Sequence, residues 1–231
     1  MNCNNIIKKI KSLHNPKAVE GMARYGINPE SNYGVKVSTL REMAKEIGKD
    51  HELALELWDS GIHDARILAP LIEDKALVTE NQMDRWVSVL DSWDICDNAC
   101  ALFTSTEWAY EKAVEWSRSD EEFVKRAGYV MMARLAVRDK KADNSTFEAF
   151  FPHIRRGATD ERNYVKKAVN WAVRSIGKRN LALRKRALEL AREIKNIDSK
   201  AARWIANDAI RELENIKTIE AIRRKDSGGK E

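Results

Sequence analysis

Trp93 and Asp97 stand four residues apart in the run Asp91-Ser92-Trp93-Asp94-Ile95-Cys96-Asp97. With Ser92 as N-cap the run predicts a helix start, which places the indole and the carboxylate on one face, one turn apart. Ile95, Ala99, Leu102 and Phe103 fall on roughly the opposite side, so the core leaves Trp93 and Asp97 a face of their own. An ionised carboxylate beside an aromatic ring is able to stabilise positive charge. Asp94, in the first turn, complements the helix dipole, and capping explains it adequately.

A second group lies further along the chain. Over Glu161 to Ile176 the apolar residues Val165, Ala168, Val169, Ala172, Val173 and Ile176 form one broad face, whereas Lys167, Trp171, Arg174 and the following Lys178 cluster on the other. Trp171 is either an aromatic platform between phosphate-binding cations or a ring covered by a neighbouring helix. Glu121 to Val137 is apolar nearly all round and is expected in the interior, but Arg126 interrupts it. A guanidinium there needs an anionic partner, either a carboxylate of a neighbouring helix or a phosphate.

Other familiar chemistries find no support. His14, His51, His63 and His153 have no metal spacing, no Ser sits in a nucleophile elbow, and no Gly-rich phosphate loop occurs. The three cysteines make no disulfide framework, and Cys96 with Cys100 supply two soft ligands where a structural zinc site takes four. They are read as free thiols of a reducing cytosol. Neither a signal peptide nor a membrane span is read in the chain, which points to a soluble cytoplasmic protein.

The elements that must carry these groups are helices. Ten Gly and four Pro in 231 residues are few, and helical periodicity runs from end to end with only short interruptions. Thr39 with Glu42, and Thr79 with Gln82, read as capping boxes; Asp50 reads as an N-cap; Ser145 to Arg156 reads as one helix. Phe123-Val124-Lys125-Arg126-Ala127 and Tyr164-Val165-Lys166-Lys167-Ala168 recur 41 positions apart, a HEAT or armadillo spacing. A HEAT-like solenoid is favoured over a compact bundle, with residues 1–224 as one repeat domain and 225–231 as a disordered tail. Charge is uneven: residues 1–115 carry 13 Lys and Arg against 19 Asp and Glu, whereas residues 116–231 carry 28 against 17, within a net +5. The basic half suits either a polyanion partner or a solvated helical surface.

The run Trp93 to Asp97, the run Phe123 to Ala127 and the run Val165-Lys166-Lys167-Ala168-Val169-Asn170-Trp171-Ala172 resemble the DNA alkylation repair family of AlkD-like DNA glycosylases, from about Met22 to Lys200. The resemblance implies an all-α superhelix of HEAT-like repeats cradling duplex DNA on a concave basic face. It implies excision of positively charged N3- and N7-alkylated purines without metal or cofactor, and a monomer is the simplest expectation for a solenoid that cradles DNA. Asp97 then resembles the catalytic carboxylate, and Trp93 and Trp171 the aromatic pair beside it. Arg126 resembles the basic residue near the carboxylate and the DNA backbone, and Tyr25 the N-terminal cleft tyrosine. Lys125, Lys166, Lys167, Arg174 and Lys178 join Tyr25 as expected DNA contacts. The segment Gly26 to Gly34, rich in Asn and Ser, departs from the family's more aromatic connection. Two further readings remain: a catalytically silent DNA-binding relative and a HEAT-type protein-interaction scaffold.

Overall fold

A computed structural model of the chain describes residues 2–228, without the side chains of 227 and 228. Fifteen helices and no strand occur among the described residues, and they divide into two units, Met1–Trp108 and Ala109–Glu231. The expected tail is helical as far as Gly228, inside the last helix, and residues 229–231 lie outside the described residues.

The first unit holds α1 (Cys3–Ser12), α2 (Pro16–Arg24), α3 (Val37–Ile47), α4 (His51–Asp59), α5 (His63–Ile72), α6 (Glu80–Ser88) and α7 (Trp93–Phe103). Helix α5 is its axis, packed by α3, α4 and α7, and eight of its ten residues are buried. Trp58 of α4 and Trp86 of α6 stack face to face with centroids 4.1 Å apart. Glu73, fully buried after α5, holds α4 and α6 together by bonding His51 Nδ1 at 2.8 Å and accepting from Gln82 Nε2 at 2.7 Å. That bond corrects the capping box read at Thr79: the hydroxyl does accept from Gln82 N, but the Gln82 side chain is spent on Glu73. Thr39 is corrected too, because α3 begins at Val37 and places Thr39 inside the helix. Asp50 caps α4 as expected, accepting from Leu53 N at 3.1 Å.

The second unit holds α8 (Ala109–Trp116), α9 (Glu122–Arg138), α10 (Asn144–Glu148), α11 (Phe151–Gly157), α12 (Asn163–Gly177), α13 (Leu181–Lys195), α14 (Lys200–Leu213) and α15 (Ile216–Gly228). The single helix read over Ser145 to Arg156 is broken between Glu148 and Phe151, where Pro152 enters at the start of α11 and cannot donate to a preceding turn. Helices α9, α12 and α14 form one row, α9 against α12 and α12 against α14, with α8 and α13 paired to them from the side. The 41-residue echo is thus structural: Phe123 of α9 and Tyr164 of α12 stack at 5.6 Å.

The turns between paired helices are tied to one another. Arg162 Nη1 donates to Asp120 O at 2.6 Å, and the Asp160 carboxylate accepts from Arg162 N, Nε and Nη2 at 3.1, 2.9 and 2.6 Å. Burial alone would raise the Asp160 carboxyl, but the Arg162 hydrogen bonds and the Arg162 and Lys125 charges hold it below its ordinary 3.8. A folded-state pKa below the unfolded one gives stability that is present above the ordinary value and lost as pH falls through the lowered one. Thermal unfolding should therefore show Asp160→Asn less stable than wild type at pH 7, with the gap closing below about pH 4. A gap that persists unchanged to pH 3 contradicts this linkage.

Candidate functional site

The start of α7 is fixed by contacts from far along the chain. Ser92 occupies the N-cap position, but its buried hydroxyl caps nothing; it accepts from Asn28 N at 3.0 Å. Asn28 Nδ2 reaches Asp91 Oδ2 at 2.8 Å, so the 26–34 segment is pinned against the helix entrance. Asp64, 1% exposed in the first turn of α5, accepts from Tyr33 N at 2.7 Å and Val35 N at 2.8 Å. Gly34 between them has φ +67°, and a Cβ there would meet Asn15 O at 2.8 Å. The Asn- and Ser-rich segment is therefore a built loop whose main chain is held by two buried side chains.

Asp64→Ala should release it. Two main-chain donors lose their acceptor, and urea unfolding is expected to show a loss of about 3 kcal/mol. A loss below about 0.5 kcal/mol, the range of an ordinary surface change, contradicts the anchoring role.

On this support sit Trp93 and Asp97, both half-buried. The Trp93 indole Nε1 donates to Tyr25 O at 3.2 Å, which fixes the edge of the ring and brings it beside Tyr25, whose side chain is 76% exposed. Asp94 does more than complement the dipole. Its Oδ2 pairs with Nε2 of His63 at 3.0 Å, a histidine buried in α5 that sequence patterns alone did not connect to α7. The first turn of α7 is thereby locked from beneath, and the Asp97 turn stands on it.

The remaining candidates lie on the second unit. Arg126 is 5% exposed, and its Nη1 donates to Tyr164 O at 2.8 Å, so a main-chain carbonyl is one partner of the guanidinium. Trp171 is half-buried, with the Arg134 guanidinium carbon 5.6 Å from its ring centre. The basic face read on α12 is largely answered by α14. Arg174 pairs with Glu212 and, at 3.3 Å, with Asp208; Lys178 pairs with the same Glu212; Asn170 Nδ2 reaches Asp208 Oδ2 at 2.7 Å. Lys166 Nζ stands 5.2 Å above the exposed Trp204 ring, Lys125 pairs with Asp160 at 3.4 Å, and Lys167 is exposed. Each α12 residue in the series 166, 170, 174 thus meets α14 at a distance of 38 positions, a repeat contact hidden from a single-helix view.

Among the described residues no group of three or more His, Cys, Asp or Glu is placed to hold a metal ion, and no helix is long and apolar enough to cross a membrane.

The model of a family described as DNA alkylation repair enzyme matches residues 6–213. The chain belongs to that family. Two relatives in this range of similarity are uncharacterized proteins of Listeria. One, from Listeria innocua serovar 6a, is 23% identical over 80% of this chain and 83% of its own length. The other, from Listeria monocytogenes serovar 1/2a, is 21% identical over 94% and 95%. A solved structure matches at a TM-score of 0.77 with 21% identity, covering 91% of this chain and 95% of its own. It represents a new family of proteins related to the HEAT-like repeat DNA glycosylases with affinity for branched DNA structures. The fold of this DNA alkylation repair family member is accordingly the HEAT-like helical repeat.

Proposed function

We propose that the protein is an alkylpurine DNA glycosylase that hydrolyses the N-glycosidic bond of positively charged N3- and N7-alkylated purines in duplex DNA. The observation that carries this reading is the α7 start: a carboxylate and an indole on one face, held by His63, Ser92 and the Tyr25 carbonyl in a member of a DNA alkylation repair family.

An N-alkylated purine already bears positive charge, so the bond from C1′ to the purine nitrogen breaks with the electron pair leaving on the base, which departs neutral. The sugar approaches an oxocarbenium ion. Asp97 stabilises that cation or orients the water whose oxygen adds to C1′ and whose proton passes to solvent. Trp93 and Trp171 offer aromatic faces to the cationic sugar. Arg126, Lys125, Lys166, Lys167, Arg174, Lys178 and Tyr25 serve the strand, the cations through phosphates, and the partner is duplex DNA bound by a monomer. No metal or other cofactor takes part. Because lesion charge confers selectivity, full flipping of the base into a tight pocket is unnecessary.

Incubation of the protein with N-methylated duplex, followed by separation of the liberated bases, tests the reading. 7-Methylguanine and 3-methyladenine are expected, and unmodified purines are not. The second reading is a DNA-binding relative without turnover, favoured by the branched-DNA affinity of the structural neighbour's family. Salt-dependent binding with no base released would establish that alternative.

A further inference from the structure

The second unit contains a polar cavity of about 240 Å3 where the ends of α8 and α11 meet the first turns of α9. Two glycines bring these elements together. A Cβ on Gly128 would lie 2.3 Å from Ser117 N, and one on Gly157 would lie 2.1 Å from the Tyr129 hydroxyl. That hydroxyl, on a buried ring, donates to His153 O at 3.0 Å, and the Arg162 bond to Asp120 O closes the turn alongside. The walls are therefore fixed before any ligand arrives.

Their charge is one-sided. Arg118, Lys125 and Arg156 line the cavity against a single carboxylate, Asp160. Asp160 is already engaged by Arg162 at 2.6 Å and by Lys125 at 3.4 Å. Arg118 and Arg156 are exposed, and among the described residues neither has a carboxylate partner. Both lie near enough to His153 to act on it: burial first, then the two guanidinium charges, hold the imidazole below its ordinary 6.5. Its Nδ1 is buried without a hydrogen-bond partner. Converging cations in a fixed cavity repel one another until an anion enters, and guanidinium forks match the oxygens of a phosphoryl group.

We propose that this cavity is a phosphate-binding site in which Arg118 and Arg156 grip a phosphoryl group and Lys125 supplies a third charge. That the phosphoryl group belongs to a nucleic-acid strand rests on the DNA reading above; the anion chemistry stands without it. The site gives the strand a fixed point on the second unit, apart from the Trp171 face of α12.

The full chain and the Arg118→Gln/Arg156→Gln double variant test this, both substitutions being at exposed positions. In the wild type, inorganic phosphate should shift the His153 imidazole resonances and move their titration upward toward the ordinary value, since the anion offsets Arg118 and Arg156, the two charges that lower it. The double variant should show no phosphate response. An absent response in the wild type, or an equal one in both proteins, overturns the site. Duplexes with 5′-phosphate and 5′-hydroxyl ends identify the source. The variant should bind about tenfold more weakly. Equal loss on both duplexes assigns an internal diester, and loss on the phosphorylated duplex alone assigns a strand end. A phosphate response without loss on either duplex overturns the nucleic-acid source. A wild type that responds to phosphate yet binds neither duplex counts against the DNA reading and leaves the cavity's anion chemistry in place.

Discussion

Asp97→Asn is expected to lower the release of 7-methylguanine from alkylated duplex by about 100-fold or more, the scale on which removing one preorganised electrostatic partner acts. DNA affinity should stay unchanged. The substitution preserves the shape of the side chain and removes its charge, and the charge is what the oxocarbenium-like sugar requires. Three contacts at the α7 start do not involve its side chain and stay in place: Ser92 accepts from Asn28 N, Asp94 pairs with His63, and Trp93 donates to the Tyr25 carbonyl. On the proposed reading, binding arises instead from phosphate contacts made by other residues. Full activity in Asp97→Asn, measured in single turnover at saturating DNA, contradicts the role given to the carboxylate. Loss of activity together with loss of DNA affinity contradicts it equally, because the residue would then act through binding.

Gly128→Ala carries the largest expected effect on stability. The added methyl would meet Ser117 N at 2.3 Å, Ser117 Cα at 2.8 Å and Ala113 O at 2.9 Å, all of them main-chain atoms that cannot swing aside. Helices α8 and α9 must then separate along a fully buried stretch of α9 that includes Tyr129, Val130, Met131 and Met132. Overpacking of this kind costs about 3 kcal/mol or more, which outweighs the gain of under about 1 kcal/mol that alanine brings in helix propensity. Denaturant unfolding is the check, and a variant as stable as wild type contradicts the close approach. The same substitution should weaken phosphate binding at the neighbouring cavity.

Helix content and the repeat were legible because they are local properties. Low Gly and Pro content, the Asp50 cap and the apolar stripe of α12 each need only a few consecutive residues. The 41-residue echo at Phe123 and Tyr164 marked stacked helices because equivalent positions of a repeat face one another. What was not legible depends on partners far along the chain. Thr39 fitted a capping pattern, but Asp64, 29 positions from Val35, pins the chain just before α3, and the helix starts at Val37. Ser92 was placed correctly as a cap, while its hydroxyl serves Asn28, 64 positions away.

The site shows the same division. The shared face of Trp93 and Asp97 follows from a spacing of four, but the His63 pair that locks Asp94 joins two helices with no common motif. Arg174 and Lys178 read as free cations on α12 because Glu212, which binds both, lies on α14. Arg118 and Arg156, which line one cavity of the second unit, lie near helix ends where basic residues pass as ordinary dipole partners.

The central claim is that lesion charge drives the reaction. One measurement tests it most directly: the rate of base release from two duplexes of identical sequence, one carrying a single 7-methylguanine and the other a single O6-methylguanine. The first lesion is cationic and the second neutral. The account expects release from the first duplex and none from the second. Comparable release from both, or release from neither while both duplexes are bound, contradicts it.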